Sequence, residues 1–339
     1  MPRPTEPRVP VIAVTGHLGA GKTSLLNHLL RRPGARLGAV VNDFGALNVD
    51  AGLLAAQVDE AVAISGGCVC CLPDAGGLDG ALERLADPAL RLDAILVEAS
   101  GVAEPGALAR LIRFSGVERV RLGGVIEVID AVEHFRTVDV HPDAPARYGA
   151  ATLFVVNKTD LLGPADADAV VARLRARIGD SAAPVVVAHA GRIDPALVFD
   201  VADDDDPIDE LPIARLLREE HAHEHPEARS ASVALDAPVS PSALLDLLED
   251  PPAGAYRLKG RVRIRGPRAE RGVVVNVVGA SLHVARLASP PEPGELVAIG
   301  YDLDVVEARR RLEAVTQAPA DRPDAAGLRR LERWERLSL

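Results

Sequence analysis

The sequence predicts an α/β fold in which a mainly parallel sheet is sandwiched by helices, followed by a smaller mixed α/β domain. Three observations predict it. Short apolar runs (VPVIAVT from Val9, RLGAVVN from Arg36, LDAILVE ending at Glu98, GGVIEVID from Gly123) alternate with segments of helical apolar spacing, the order that builds parallel strands and crossover helices. The chain is 48% hydrophobic but only 3% aromatic, so its core is made of Ala, Val, Leu and Ile, which suits strands buried on both faces. At 339 residues it is long enough for two domains and for folding to bury roughly three-quarters of its unfolded surface.

The net charge of -11 argues against a general nucleic-acid-binding face but leaves room for a local basic phosphate pocket. Met1 to Pro10 holds no long apolar run, and no later segment reaches the length of a bilayer span, so the expectation is a cytoplasmic protein with no membrane partner. All 3 cysteines fall within four positions, as Cys68, Cys70 and Cys71. An odd number in one cluster fits metal or redox chemistry in a reducing compartment better than a disulfide framework.

In chain order, Val9 to Thr15 reads as a strand, and Thr23 to Arg32 as a helix with Leu25, Leu26, Leu29 and Leu30 on one face until Pro33 and Gly34. Between them lies GHLGAGKT, Gly16 to Thr23, which matches G-x-x-x-x-G-K-[ST] at each fixed position. Gly16, Gly19 and Gly21 let the backbone curl so that amides, together with the helix start, surround phosphate oxygens. Ala20 and Ser24 belong to the same cradle. Lys22 is expected to reach the β and γ phosphates and Thr23 to offer its hydroxyl to magnesium. A simple glycine-rich turn is the alternative, and the strand before and helix after speak against it.

Arg36 to Asn42 predicts a second strand, and Asp43 behind it is placed to sense magnesium or the γ-phosphate. Asp50 has either that role or the plainer one of capping a helix at Ala51 to Ala56. Val58 to Ser65 alternates weakly and is read as a hairpin strand leading into the cysteines. Glu98, at the end of LDAILVE, occupies the place of the acid that contacts magnesium or the attacking water in nucleotide hydrolases. Glu104 and Pro105 open a helix running to about Phe114, and Gly123 to Asp130 forms a further strand. Thr152 to Val156 is a strand that runs into Asn157, Lys158, Thr159 and Asp160. The aspartate can accept from the ring N–H and exocyclic amine that guanine has and adenine lacks, while the lysine stem packs on the base. Following the phosphate loop in this order, N-K-T-D favours GTP over ATP. Pro184 to Ala188 adds a strand, and Ala188 to Gly191 is placed to close over the base.

Taken together and in order, GHLGAGKT, VNDFGALNVD, GGCVCCLPD, VEASGVAEP and NKTD resemble the CobW family of metal-handling GTPases, relatives of the urease and hydrogenase nickel-insertion GTPases (the HypB and UreG type). The likeness is strong over about residues 9 to 200 and extends to a CobW-type C-terminal domain at about 230 to 316. It implies a P-loop NTPase fold, slow GTP hydrolysis and delivery of a transition metal to a client metalloprotein or metal-inserting enzyme. A nucleotide-dependent homodimer is a further expectation. Cys68, Cys70 and Cys71 match the family's C-x-C-C as ligands of zinc or cobalt, and Glu98 matches its glutamate. The catalytic residues so expected are Glu98, Lys22 and Asp43, with Thr23, Asp43 and Glu98 around magnesium. One departure stands out: zinc-linked members read Glu-Asn-Glu-Phe-Gly-Glu where this chain has Val41, Asn42, Asp43, Phe44, Gly45 and Ala46, leaving Asp43 as the acid retained. His17 stands where an aromatic residue is common.

Three thiolates suit zinc, cobalt or copper(I) and leave a fourth tetrahedral position for water, a backbone group or a receiving protein, as a carrier requires. Alternatives are a redox pair at Cys68 and Cys71, or a sealed structural zinc completed by a distant histidine. Beyond Val201, Asp203 to Asp206 and the cluster Glu219, Glu220, His221, His223, Glu224 and His225 read as a linker over 201–229, whose histidines either buffer metal or are incidental. His134, next to Glu133, and His189 are read as ordinary core or surface residues.

The second domain is expected from strands at Ala231 to Leu235, Tyr256 to Ile264 and Glu295 to Tyr301, a hairpin of Gly272 to Val278 with Ser281 to Arg286, and helices at Pro241 to Leu248 and Val305 to Val315. In the tail, 317–339, Leu328, Leu331, Trp334 and Leu337 recur near helical spacing, which predicts a docking helix. The reading is a GTP-hydrolysing metallochaperone with domains at 8–200 and 230–316. Its alternatives are cobalt delivery for cobalamin synthesis, a regulatory GTPase with a structural zinc, or a non-hydrolytic metal sensor.

Overall fold

The computed structural model describes residues 8–31, 35–43, 60–65, 76–99, 104–142, 145–179, 183–189, 191–199, 228–266, 269–279, 281–317 and 324–338, with 41–43, 60–65 and 76 described by their backbone alone. Asp50, the three cysteines and His221, His223 and His225 lie outside these residues.

Seven parallel strands form the first sheet: β1 (Val9–Gly16), β2 (Leu37–Asp43), β3 (Glu60–Ser65), β4 (Ala94–Glu98), β5 (Val120–Asp130), β6 (Leu153–Asn157) and β7 (Val185–Val187), in the order β3-β2-β4-β1-β5-β6-β7. Their apolar runs are continuous because both faces are covered. Ile12 and Val14 of β1 pack with Leu25, Leu26 and Leu29 of α1 (Lys22–Leu30), while Val11 and Ala13 face Leu82 and Leu85 of α2 (Gly76–Leu85) and Leu108 and Ile112 of α3 (Pro105–Arg113). Beyond β5, Phe154 and Val156 pack against Leu174 of α4 (Pro164–Ile178).

One expectation is corrected here. The segment read as a hairpin strand, Val58 to Ser65, contributes β3, which pairs parallel to β2 with Asp43 opposite Ser65. A parallel neighbour needs a crossover connection, not a tight turn. All seven C-terminal ends therefore lie at one edge of the sheet, the edge at which such folds bind ligands.

The second sheet is wholly antiparallel, in the order β11-β10-β9-β12-β8, built from β8 (Arg229–Leu235), β9 (Arg257–Arg265), β10 (Glu270–Val278), β11 (Ser281–Arg286) and β12 (Gly294–Gly300). Leu258, Val262, Val273 and Val275 from its strands share a core with Leu244 and Leu248 of α5 (Pro241–Glu249), Leu312 of α6 (Val305–Gln317) and Leu331 of α7 (Ala325–Leu337). Helix α7 is the tail's expected docking helix, and it packs on the chain's own α5 and β11. Tyr256, Val278 and Ile299 join the core that contains Phe199 and Val155, and Tyr256 and Thr152 hydroxyls lie 3.3 Å apart across the junction. No described helix is long and apolar enough to cross a membrane.

Candidate functional site

The site is assembled at the C-terminal ends of β1, β4, β5 and β6. Strand β1 stops at Gly16, whose φ of 143° no side-chain-bearing residue adopts readily, and a Cβ there would lie 2.5 Å from the Val128 carbonyl oxygen of β5. The loop then runs through exposed Leu18 and Gly19 to buried Ala20, and Ala20 N–H donates to His17 O at 3.1 Å. Gly21, at φ 98°, precedes α1, and a Cβ on it would collide with the Asn157 carboxamide. Both glycines are thus required by close approach as well as by backbone angle.

Lys22 is 6% exposed, and its ammonium donates to His17 O at 3.3 Å across the loop. Burial pulls its pKa below the usual lysine value. The carboxylates of Glu98 and Glu127 oppose that, and Arg147 adds to it. A buried ammonium curled over a glycine loop suits an incoming polyphosphate. Thr23 donates from Oγ1 to Glu98 Oε1 at 2.8 Å. Glu98 closes β4, the immediate neighbour of β1, with Val14 opposite it in register. These two hard oxygens at the end of the sheet fit magnesium, which prefers oxygen ligands. Asp43 ends β2 on the same edge, its side chain outside the described atoms.

Asn157 ends β6 and joins two loops: its Nδ2 donates to Ala20 O at 2.9 Å, and its Oδ1 accepts from Gly191 N at 3.1 Å. Gly191 is thereby joined through Asn157 to Ala20 of the phosphate loop. Lys158 follows in the left-handed region at φ 63°, and its ammonium donates to Asp130 Oδ2 at 2.7 Å. Asp160 stands exposed in the 3-10 turn Thr159–Leu161. Its carboxylate is free to face solvent at the edge of the same site. His189 is exposed, whereas His134 is buried at 2% and joined to the Tyr148 hydroxyl at 2.6 Å, so neither departs from its reading as an ordinary residue.

Sequence reasoning missed one pair. Glu127 lies within β5 opposite Thr15, is fully buried, accepts from Thr15 Oγ1 at 2.6 Å and pairs with Arg147 Nε at 2.6 Å. Burial pushes its carboxyl pKa up, against the attraction of Arg147 and the hydrogen bond from Thr15. The signal was present as a lone acid inside the apolar run VIEVID, because a buried charge demands a partner. Nothing local in the sequence named Arg147.

Among the described residues no group of three or more His, Cys, Asp or Glu side chains is gathered to hold a metal ion. Cys68, Cys70 and Cys71 belong to the undescribed stretch that follows β3.

The family profile described as "CobW/HypB/UreG, nucleotide-binding domain" matches residues 10–186, and that described as "Cobalamin synthesis protein cobW C-terminal domain" matches 228–316. The Sinorhizobium protein named zinc chaperone CobW is 28% identical over 92% of this chain and 99% of its own. The Escherichia coli zinc chaperone YjiA is 32% identical, in an alignment that spans 56% of this chain and only 61% of the relative. The crystal structure of Zn(II)-bound YjiA GTPase from E. coli aligns with 92% of this chain and 99% of its own, at 23% identity and a TM-score of 0.42. With both halves of its length matched in order, and the nucleotide-binding profile alone covering more than half of it, the chain belongs to the CobW/HypB/UreG family.

Proposed function

We propose that this protein is a GTP-hydrolysing metallochaperone that takes up a transition metal, zinc before cobalt, at Cys68, Cys70 and Cys71 and passes it to a client metalloprotein. The single observation that carries the reading is the contact between Thr23 and Glu98, which ties the phosphate loop to the end of β4. Two relatives are named zinc chaperones, and a third, from Schizosaccharomyces pombe and 33% identical over 55% of this chain and 47% of its own length, is named zinc-regulated GTPase metalloprotein activator 1. Those names support zinc as the first metal to test.

In this mechanism the amides of Gly16 to Thr23 and the ammonium of Lys22 hold the β and γ phosphates. Asp160 accepts from the guanine N–H groups, Asn157 locks the base loop to the phosphate loop, and Lys158 supplies a face for the ring. Glu98 orients the attacking water, and with Thr23 and Asp43 it would hold magnesium. That ion supplies neutralisation of the charge developing on the phosphates. Ser65, opposite Asp43 in the sheet, stands three residues before Cys68, so the segment that senses the γ-phosphate adjoins the segment that carries the thiols. Closing of Asp43 and Glu98 on GTP favours the metal-binding arrangement of the cysteines, and hydrolysis releases it. Linkage then requires that metal tighten GTP binding by the same factor.

The test is an anaerobic titration of zinc and of cobalt into the full chain with a non-hydrolysable GTP analogue, with GDP and without nucleotide. Tighter binding with the GTP analogue is expected for the metal carried. Equal affinity in all three states ends the carrier mechanism.

A further inference from the structure

The lysine of the N-K-T-D segment is clamped by a carboxylate of the neighbouring strand. Lys158 adopts φ 63°, a region disfavoured for a residue with a side chain and kept where the surrounding structure enforces it. Its ammonium donates to Asp130 Oδ2 at 2.7 Å. The second oxygen of that carboxylate accepts from Val132 N at 2.9 Å and Glu133 N at 3.1 Å, so the acid cannot swing to follow a wandering lysine. Burial alone would raise the Asp130 carboxyl; the hydrogen bonds from Lys158, Glu133 and Val132 bring it below its usual value and keep it ionised.

Position gives this clamp a use. Asp130 ends β5 directly opposite Asn157 in the register of β5 and β6, and β5 lies between the phosphate-loop strand β1 and the base-reading strand β6. Drawing the ammonium to Asp130 ties the four-carbon stem of Lys158 to the end of β5. Asn157 is immobilised beside it by Ala20 and Gly191. An unclamped lysine would sample many rotamers and lose that freedom on binding, which weakens affinity.

We propose that Asp130 is a positioning residue for nucleotide recognition: it presets Lys158 as the platform for the guanine ring and touches neither base nor phosphate itself. This inference rests on the guanine reading above. The experiment is calorimetric titration of the full chain with GDP, ADP and pyrophosphate, using the parent, Asp130→Asn, Lys158→Met and the double variant. Asparagine retains an oxygen acceptor for Val132 and Glu133, so the local turn has its cap in the variant.

Asp130→Asn is expected to weaken GDP by about tenfold, the worth of one hydrogen bond to a charged group. ADP and pyrophosphate, held by the phosphate loop, should stay within about twofold. In the double variant the GDP loss should not exceed that of Lys158→Met alone, since without the ammonium the clamp has nothing to hold. The inference is overturned if Asp130→Asn weakens all three ligands equally, leaves GDP unchanged, binds GDP more tightly because the clamp opposed binding, or acts additively with Lys158→Met. A parent that binds GDP no better than ADP removes the guanine reading itself, and this inference with it; a parent that prefers GDP with an unaffected Asp130→Asn removes the inference alone.

Discussion

Glu127 and Arg147 form a 2.6 Å ion pair beneath the root of the phosphate loop, with the carboxylate wholly out of solvent and the arginine 9% exposed. Thr15, the residue before Gly16, donates to the same carboxylate. Replacing Arg147 with Met would strand a buried negative charge, a change that typically costs about 3–5 kcal/mol. The double variant Glu127→Gln with Arg147→Met removes both charges and should regain most of that loss. Urea unfolding of the parent, Arg147→Met and the double variant, without nucleotide, makes the comparison. A cost below about 1 kcal/mol for Arg147→Met, the range of exposed pairs, would show that the pair does not support the loop.

The bond from Thr23 to Glu98 leads to a kinetic prediction. Glu98→Gln keeps an oxygen to accept from Thr23 Oγ1, so GDP affinity measured without magnesium should change little. It removes the carboxylate to which the proposed mechanism gives the water-orienting role, so on that mechanism GTP turnover should fall by about 10²-fold or more. Single-turnover hydrolysis beside GDP titration separates the two. A variant that hydrolyses GTP at the parent rate takes the water-positioning role away from Glu98.

Much of this was legible in the amino-acid order, for reasons visible at particular residues. The glycines of the phosphate loop announce themselves because Gly16 and Gly21 sit where backbone angle and close neighbours both forbid a Cβ. The runs at Val9, Ala94 and Leu153 became strands because a parallel sheet covered on both faces buries nearly every side chain, leaving no alternation to misread. Partners were the part that could not be read. The weak alternation of Glu60–Ser65 shows a strand but not that its neighbour runs parallel. The apolar positions of α7 show a face but not that α5 and β11 receive it. Glu127 shows a charge in a core strand, while Arg147 comes from a separate turn twenty positions on, chosen by tertiary folding.

Two histidines, His134 buried and His283 half-buried, make stability fall with acid. Burial lowers His134 to about 4 despite the nearby Asp139 carboxylate, and lowers His283 to about 3, with Arg121 and Arg8 adding to the effect. In the unfolded chain both return to about 6.5. Below that pH the unfolded state holds more protons than the fold, so stability is complete above about pH 6.5 and declines toward about pH 4, by up to about 1.4 kcal/mol per pH unit for each ring. His134→Gln and His283→Gln should each flatten the decline by about one ring's share. Denaturation midpoints between about pH 7 and pH 5 provide the slope. Parallel slopes in the parent and both variants would mean that neither ring stays neutral in the fold.

Helix α7 carries its own reporter. Trp334 is the only tryptophan of the chain, and its indole N–H donates to Glu249 Oε1 of α5 at 2.9 Å. One turn before it, Leu331 is fully buried among the residues of the second domain, while Leu337 is 65% exposed at the end of the helix. Truncating Leu331 to Ala should cost about 2–5 kcal/mol, because the cavity it leaves lies between α7, α5 and the sheet. Leu337→Ser should stay within about 0.5 kcal/mol, as expected of an exposed position without a partner to lose. Tryptophan emission during urea unfolding reads the second domain selectively, and circular dichroism reads the whole chain. The expected result is an earlier fluorescence transition for Leu331→Ala and an unchanged one for Leu337→Ser. Equal sensitivity at the two positions would mean that α7 does not pack as a structural part of the second domain and that its apolar face serves another partner.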